Sequence, residues 1–301
     1  MDDNEFLAQR FEAHRGHLRA VAYRMLGSLS EAEDAVQEAW LKLGRSDSSE
    51  VENLGGWLTT VVGRVCLDML RSRTSRREDL DPFDGHEHAH VPDPVVSRAD
   101  SADPEHQALL TDAVGLALLV VLETLPPAER LAFVLHDMFA VPFDDIAPIV
   151  ERTPAATRQL ASRARRRVQG SPPPEADLGR QRQVVDAFLA ASRGGDFDAL
   201  LALLDPDVVL RADAGALTPG ASVVVQGARA VVERALMFSR FAPYARPALV
   251  NGALGLVATV DGKPVSVAAF TISITDGKVV EINILADSTR LSRLDLPALD
   301  D

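Results

Sequence analysis

Two stretches of this chain concentrate arginine in patterns suited to holding a polyanion. Thr153 to Val168 carries five arginines and no acid, and Arg64 to Arg77 carries five arginines and one acid, Asp68. Guanidinium groups match phosphate oxygens and guanine edges with forked hydrogen bonds. Between the two stretches, Glu78 to Asp112 holds ten acids against the single Arg98. Either basic stretch alone reads as a solvated helix face; the pair, on helices of the right kind, points to nucleic acid. The net charge of the whole chain is −13, so attraction to DNA must come from local, positioned contacts.

The elements that position these residues can be read from spacing. Phe143 to Val150 forms a short helix, Glu151 to Thr153 a turn, and Thr153 caps a second helix with Pro154 at its first position, where a missing N–H costs nothing. Ala156, Leu160, Ala164 and Val168 recur every four residues as the expected buried stripe, leaving Arg158, Gln159, Ser162, Arg163 and Arg166 outward. That is a helix-turn-helix whose second helix can enter a major groove. Upstream, residues 31–43 follow Ser30, an expected N-cap, with Val36, Trp40 and Leu43 on one face. Asp34, Gln37, Glu38 and Leu41 lie opposite, a surface suited either to solvent or to a basic partner protein. Residues 57–72 form a buried helix that continues to residue 77. Arg64, Asp68 and Arg71 lie one turn apart on it, followed by Arg73, Arg76 and Arg77. The polar loop before it, 46–56, can receive an unstacked base, with Asn53 as the hydrogen-bonding candidate.

The remainder bounds the function. Residues 74–103 read as a Pro- and acid-rich linker, and 171–174 as a stiff Pro-rich tether. His86, His88 and His90 alternate within the first, but without fixed geometry they are read as solvated rather than as a metal site. Beyond Asp177 come helices, then strand-like runs at 208–211, 248–251, 254–260, 265–275 and 279–285. Asp261-Gly262 and Asp276-Gly277 are hairpin signals, so a compact α+β domain is expected. The one cysteine, Cys66, excludes an internal disulfide. No apolar run approaches a membrane span, and the start MDDNEF is unlike a secretory signal, so a cytoplasmic address is expected.

The segments Asp34-Ala-Val-Gln-Glu-Ala-Trp-Leu-Lys-Leu43 and Gly56-Trp-Leu-Thr-Thr-Val-Val-Gly-Arg-Val-Cys-Leu-Asp-Met-Leu-Arg-Ser-Arg73 resemble region 2 of extracytoplasmic-function RNA polymerase sigma factors. Leu125-Pro-Pro-Ala-Glu-Arg130 with 143–167 resembles region 4. The resemblance implies two all-α sigma domains, no enzymatic activity and no cofactor or metal. It implies that 34–43 dock on the β′ clamp helices of core RNA polymerase, with the β flap as a further contact. It also implies that 46–77 melt and read the −10 promoter element, that 154–167 read the −35 element, and that the acidic linker lies near the RNA exit path or active-site cleft.

Residues 177–297 are similar to the SnoaL-like cone, of the nuclear transport factor 2 type, fused to one group of these sigma factors. Val250-Asn-Gly252 and Val280-Glu-Ile-Asn-Ile-Leu285 carry the likeness. In that group the extension tunes sigma activity in place of a separate anti-sigma protein. Three group motifs are altered here. A Trp-Leu-Pro-Glu-Pro linker motif appears as His90-Val-Pro-Asp-Pro94, an Asp-Gly-Gly-Gly-Lys motif as Asp213-Ala-Gly-Ala-Leu217, and a terminal Asn-Pro-Asp-Lys-Leu motif as Ala286-Asp-Ser-Thr-Arg-Leu291. The domain has no histidine, and Asp213 and Glu281 are its only strand acids that could face a pocket, so a surface packing against the sigma domains is expected rather than catalysis or a ligand cavity. The expected division is 1–77 (region 2), 78–103 (linker), 104–170 (region 4), 171–176 (tether) and 177–301 (regulatory domain). The alternative for the whole chain is a DNA-binding regulator that needs no polymerase, for which the 34–43 surface would have no use.

Overall fold

The computed structural model describes residues 3–45, 53–80, 89–99, 115–170, 175–215 and 222–297. It divides into two compact units, Met1–Asp84 with Val121–Ser171, and Gly85–Val120 with Pro172–Asp301. The division falls inside helix α4 (Leu116–Glu123).

The first unit begins with α1 (Asp3–Leu26), α2 (Leu29–Leu43) and α3 (Leu54–Leu80). Gly27, at φ 69°, breaks the chain out of α1. Ser28, not Ser30, caps α2: it is extended, and its hydroxyl accepts from the Glu31 amide. α2 buries Ala32, Ala35, Val36, Ala39 and Leu43, and its three alanines let its neighbours approach closely. Trp40 is half-buried and packs on Phe11 with ring centroids 5.0 Å apart. Asn53 starts α3, its side-chain oxygen accepting the Gly56 amide at 3.0 Å. The helix therefore begins before residue 57 and runs to Leu80, past the expected start of the linker. Cys66 is fully buried on α3, and desolvation pushes its thiol up to about 12, which keeps it inert.

The same unit continues with α5 (Pro127–Phe133), a π turn (Val134–Met138), α6 (Phe143–Ile146) and α7 (Pro154–Gln169). These helices share a core with the first three. A Cβ on Gly63 of α3 would lie 3.1 Å from a Leu135 methyl and 3.3 Å from a Leu131 methyl, so the missing side chain is what seats them. Arg130 of α5 is almost wholly buried, and desolvation pulls its pKa down to about 10. It donates from Nε (3.2 Å) and Nη2 (3.1 Å) to the Arg24 carbonyl near the end of α1. The two helical groups, read from sequence as separate domains, thus form one body.

The second unit is a seven-stranded sheet packed with helices. Its elements are β1 (Val96–Arg98), α8 (Leu178–Gly194), α9 (Phe197–Leu203), β2 (Leu204–Asp213), β3 (Val223–Gln226), α10 (Ala228–Met237), a 3-10 turn (Ser239–Tyr244), β4 (Ala245–Val250), β5 (Ala253–Val260), β6 (Lys263–Ile272), β7 (Val279–Leu285) and α11 (Ser288–Leu291). The strand order is β1-β4-β5-β6-β7-β2-β3. β2 and β7 are parallel and all other pairs antiparallel. Asp261 (φ 50°) and Gly262 (φ 72°) make the left-handed turn between β5 and β6, and Asn251 (φ 50°) with Gly252 (φ 79°) does the same between β4 and β5. Val185, Phe188, Leu200, Leu210, Val231, Leu254, Phe270 and Ile282 belong to the core beneath the helices. This is the α+β cone expected of a SnoaL-like domain. The linker differs from its reading as a free tether: β1 belongs to it, and pairs with β4 in the register Val96↔Val250 and Arg98↔Ala248.

Candidate polymerase and DNA interfaces

The helix-turn-helix is built as its residues direct. Thr153 is extended, its hydroxyl accepts the Ala156 amide, and Pro154 occupies the first turn. Glu151 takes φ 56° in the turn. The buried stripe of α7 is Thr157, Ala161 and Ala164, with Ala156, Leu160 and Val168 half-buried at its borders, so its centre lies one residue on from the four-residue repeat. Arg158, Gln159, Ser162 and Arg166 are exposed as expected. Arg158 also lies over the Phe143 ring, 5.5 Å from its centroid. Arg163 is exposed but engaged: its Nε donates to Glu129 Oε1 at 2.6 Å. Arg167 lies 3.6 Å from Oε2 of the same carboxylate, and Arg165 Nε donates to Asp137 at 2.5 Å. These carboxylates lie far back in the sequence, and only the fold reveals them.

On α2, Asp34 and Gln37 are exposed and Leu41 is 46 % exposed. Glu38, on the same face, lies 3.3 Å from Lys42. On α3, Arg64 and Arg71 are exposed, with Arg71 3.9 Å from Asp68. Two of the expected −10 contacts have other work here. Asn53 spends its side-chain oxygen capping α3. Arg73 is turned inward, paired with Glu31 and donating to the Leu26 carbonyl at 3.1 Å, where it ties α3 to the α1–α2 corner. The side chains of Arg76 and Arg77, the loop 46–52, and His86 and His88 lie outside the described residues.

A third cluster brings together the three altered motifs. Ala89, Val91, Pro92, Asp93 and Pro94 are buried. Arg290 donates from Nη1 to Asp213 (2.8 Å), from Nε to Asp93 (2.8 Å) and from Nη2 to the Val91 carbonyl (2.6 Å). Asp213 also accepts the Val91 amide (3.1 Å) and the Gly215 amide (3.0 Å), and its carboxylate lies 3.3 Å from His90 Nδ1. Burial opposes its ionisation, but the bonds from His90 and the two amides outweigh that and hold the carboxyl below its ordinary range. Asn251 closes the far end, accepting the Val95 amide at 3.0 Å and donating its own amide to the Val95 carbonyl at 2.8 Å. Gly215 is required: at φ 74°, a Cβ there would sit 2.2 Å from Asp287 Oδ2. Glu281 pairs with Arg211. Both strand acids that might have served a pocket are therefore spent on arginines. Among the described residues no cluster of His, Cys, Asp and Glu could hold a metal, and no helix is long and apolar enough to cross a membrane.

Comparison with known proteins defines the class. Residues 10–76 match the model of sigma-70 region 2, and residues 115–168 that of sigma-70 region 4, the segments with which RNA polymerase sigma factors recognise promoters and initiate transcription. The ECF RNA polymerase sigma factor SigJ of Mycobacterium tuberculosis is 39% identical over 299 residues, covering 94% of this chain and 92% of that protein. A probable ECF sigma factor of the same organism, SigI, is 36% identical over 307 residues, covering 98% of both. The crystal structure of SigJ superposes with a TM-score of 0.73 at 37% identity, covering 96% of this chain and all of that one. The chain belongs to the extracytoplasmic-function RNA polymerase sigma factors. Sigma factors are initiation factors rather than catalysts, and membership brings core RNA polymerase and promoter DNA as partners.

Proposed function

We propose that this sigma factor is tuned in cis by the grip of its C-terminal domain on the segment that joins regions 2 and 4. The capture of residues 89–98 by Asp213, Arg290, Asn251 and the edge of β4 carries the reading. The two promoter elements are named for positions about 25 base pairs apart, on the order of 85 Å along B-DNA at about 3.4 Å per base pair. Regions 2 and 4 share one core here, around Gly63 and Arg130, so reading both elements at once requires them to part. Thirty-six residue steps separate Leu80 from Leu116, and a fully extended chain of that length spans at most roughly 130 Å. Holding eleven of these residues, 89–99, in the second unit fixes the course of that connection and removes its freedom to follow the two regions as they part. The clasp thus favours the closed form, and its release favours the polymerase-ready form.

In the same reading, Asp34, Gln37, Glu38 and Leu41 dock on the β′ clamp helices, Arg64 and Arg71 serve the −10 contact, and α7 enters the major groove at −35. The test is binding of purified core polymerase by the full chain and by the Asp34→Lys/Glu38→Lys double variant. Both positions are solvent-facing on a helix, so the fold is retained. A drop in core affinity of tenfold or more is expected, since two buried-on-binding charges are reversed. Equal affinity would remove α2 from the interface. Tight sequence-specific DNA binding by the isolated chain, whose net charge is −13, would instead favour a regulator that works without polymerase.

A further inference from the structure

The recognition helix carries its arginines in two distinct settings. Arg166, like Gln159 and Ser162, is exposed on the outer face of α7. Arg163 and Arg165 flank the buried Ala164 and lie about 160° apart around the helix at 3.6 residues per turn. Each is held by a carboxylate from the preceding helical segment, Arg163 by Glu129 of α5 and Arg165 by Asp137 of the π turn. Both bonds use Nε. The terminal nitrogens of these two side chains make no hydrogen bond among the described residues. Glu129 is itself buried, and among the described residues its second oxygen has no hydrogen-bond partner, with Arg167 at 3.6 Å.

We propose that Arg163 and Arg165 are paired phosphate anchors, one for each wall of the major groove, held ready by Glu129 and Asp137, while Gln159, Ser162 and Arg166 face the base edges. The proposal rests on the reading of α7 as the −35 helix. A helix about 10–12 Å across fills a groove about 12 Å wide. Residues on its flanks then meet the sugar-phosphate walls, and residues on its outer face meet the bases. A carboxylate on Nε fixes the guanidinium plane and leaves Nη1 and Nη2 for a phosphate oxygen. Glu129 and Asp137 are positioning residues: they touch the anchors and not the DNA.

The experiment uses the holoenzyme of full chain and core polymerase on a promoter duplex selected by the parent holoenzyme from a random library. Arg163→Ala and Arg165→Ala should each lower the slope of log affinity against log salt by about one and weaken all −35 sequences alike. Gln159→Ala should leave the slope unchanged and relax preference at a base position. The positioning role is tested by sign. Glu129→Gln and Asp137→Asn each remove a negative charge near DNA, which by Coulomb's law alone tightens binding. An orienting carboxylate requires the opposite, a loss of about fivefold from re-ordering a long side chain. Asp137 is the more exposed of the two carboxylates, so its variant keeps the test open if Glu129→Gln loosens the region 4 core. Unchanged slopes with altered base preference in the arginine variants, or tighter binding by both amide variants, overturn the proposal. Parent binding that ignores replacement of the −35 sequence would overturn the reading of α7 beneath it.

Discussion

Arg290→Ala attacks the clasp at its centre. The guanidinium is 20% exposed and bridges two carboxylates that are themselves nearly buried, Asp93 at 10% and Asp213 at 8%. It also satisfies the Val91 carbonyl. Removing one partner of a buried ion pair costs about 3–5 kcal/mol, because the remaining charge is left uncompensated. Here Asp213 keeps two amides and His90, and the site retains some access to water, so the lower end, about 3 kcal/mol, applies. Released from the clasp, the linker should open more often by on the order of 100-fold. Hydrogen exchange resolves this directly. The Val91 and Val95 amides, bonded to Asp213 and Asn251, should lose protection by that factor, while amides of the β5–β6 ladder keep theirs. Arg290→Lys should recover only part of the loss, since an ammonium cannot reproduce the fork between Asp93 and Asp213. Unchanged protection at residues 91–98 in Arg290→Ala would mean that the strand pairing of β1 holds the linker alone, and the reasoning from the buried pair would be wrong.

Two other expectations concern the same cluster. Because the Asp213 carboxyl is held low in the folded chain, its contribution to stability is complete above the ordinary carboxylate value of about 4 and is lost as pH falls through the lowered value; thermal unfolding of the parent should weaken over that acid window, and Asp213→Asn should lack that component. Gly215→Ala forces a side chain onto Asp287 at a left-handed backbone angle, and should cost about 2 kcal/mol in urea unfolding while leaving the sigma helices intact; a cost within experimental error of zero would show that the turn at Gly215 relaxes.

Much of the fold is written locally. Thr153 and Pro154 mark the start of α7, and Asp261-Gly262 marks a hairpin, because capping and left-handed turns need particular residues at particular positions. The Val-Val-Val run of β3 carried a strand signal that its short length concealed. What the sequence could not display was pairing over long separations. Residues 89–98 read as tether because prolines and acids dominate them. Their strand exists because Val96–Arg98 meet an open edge on β4, Ala248–Val250, far along the chain. The carboxylates that pair with Arg73 and Arg163, Glu31 and Glu129, lie far from them in the chain and meet them only after the helices pack. Ser28 took the cap from Ser30 because Gly27 ends α1 early enough for α2 to start at Leu29. The altered motifs of the C-terminal domain still converge: Arg290 serves as the cation, Asp213 as the anion and Asp93 as the linker acid.

The central claim is that the C-terminal domain restrains initiation through the linker. Promoter-dependent run-off transcription with purified core polymerase tests it most directly, comparing the full chain with one ending at Leu285 at equal concentration. The truncated chain lacks α11 and Arg290 but keeps β7 and the rest of the sheet. It is expected to initiate more strongly than the full chain, with Arg290→Ala changing in the same direction. Identical transcription from all three proteins would contradict the account.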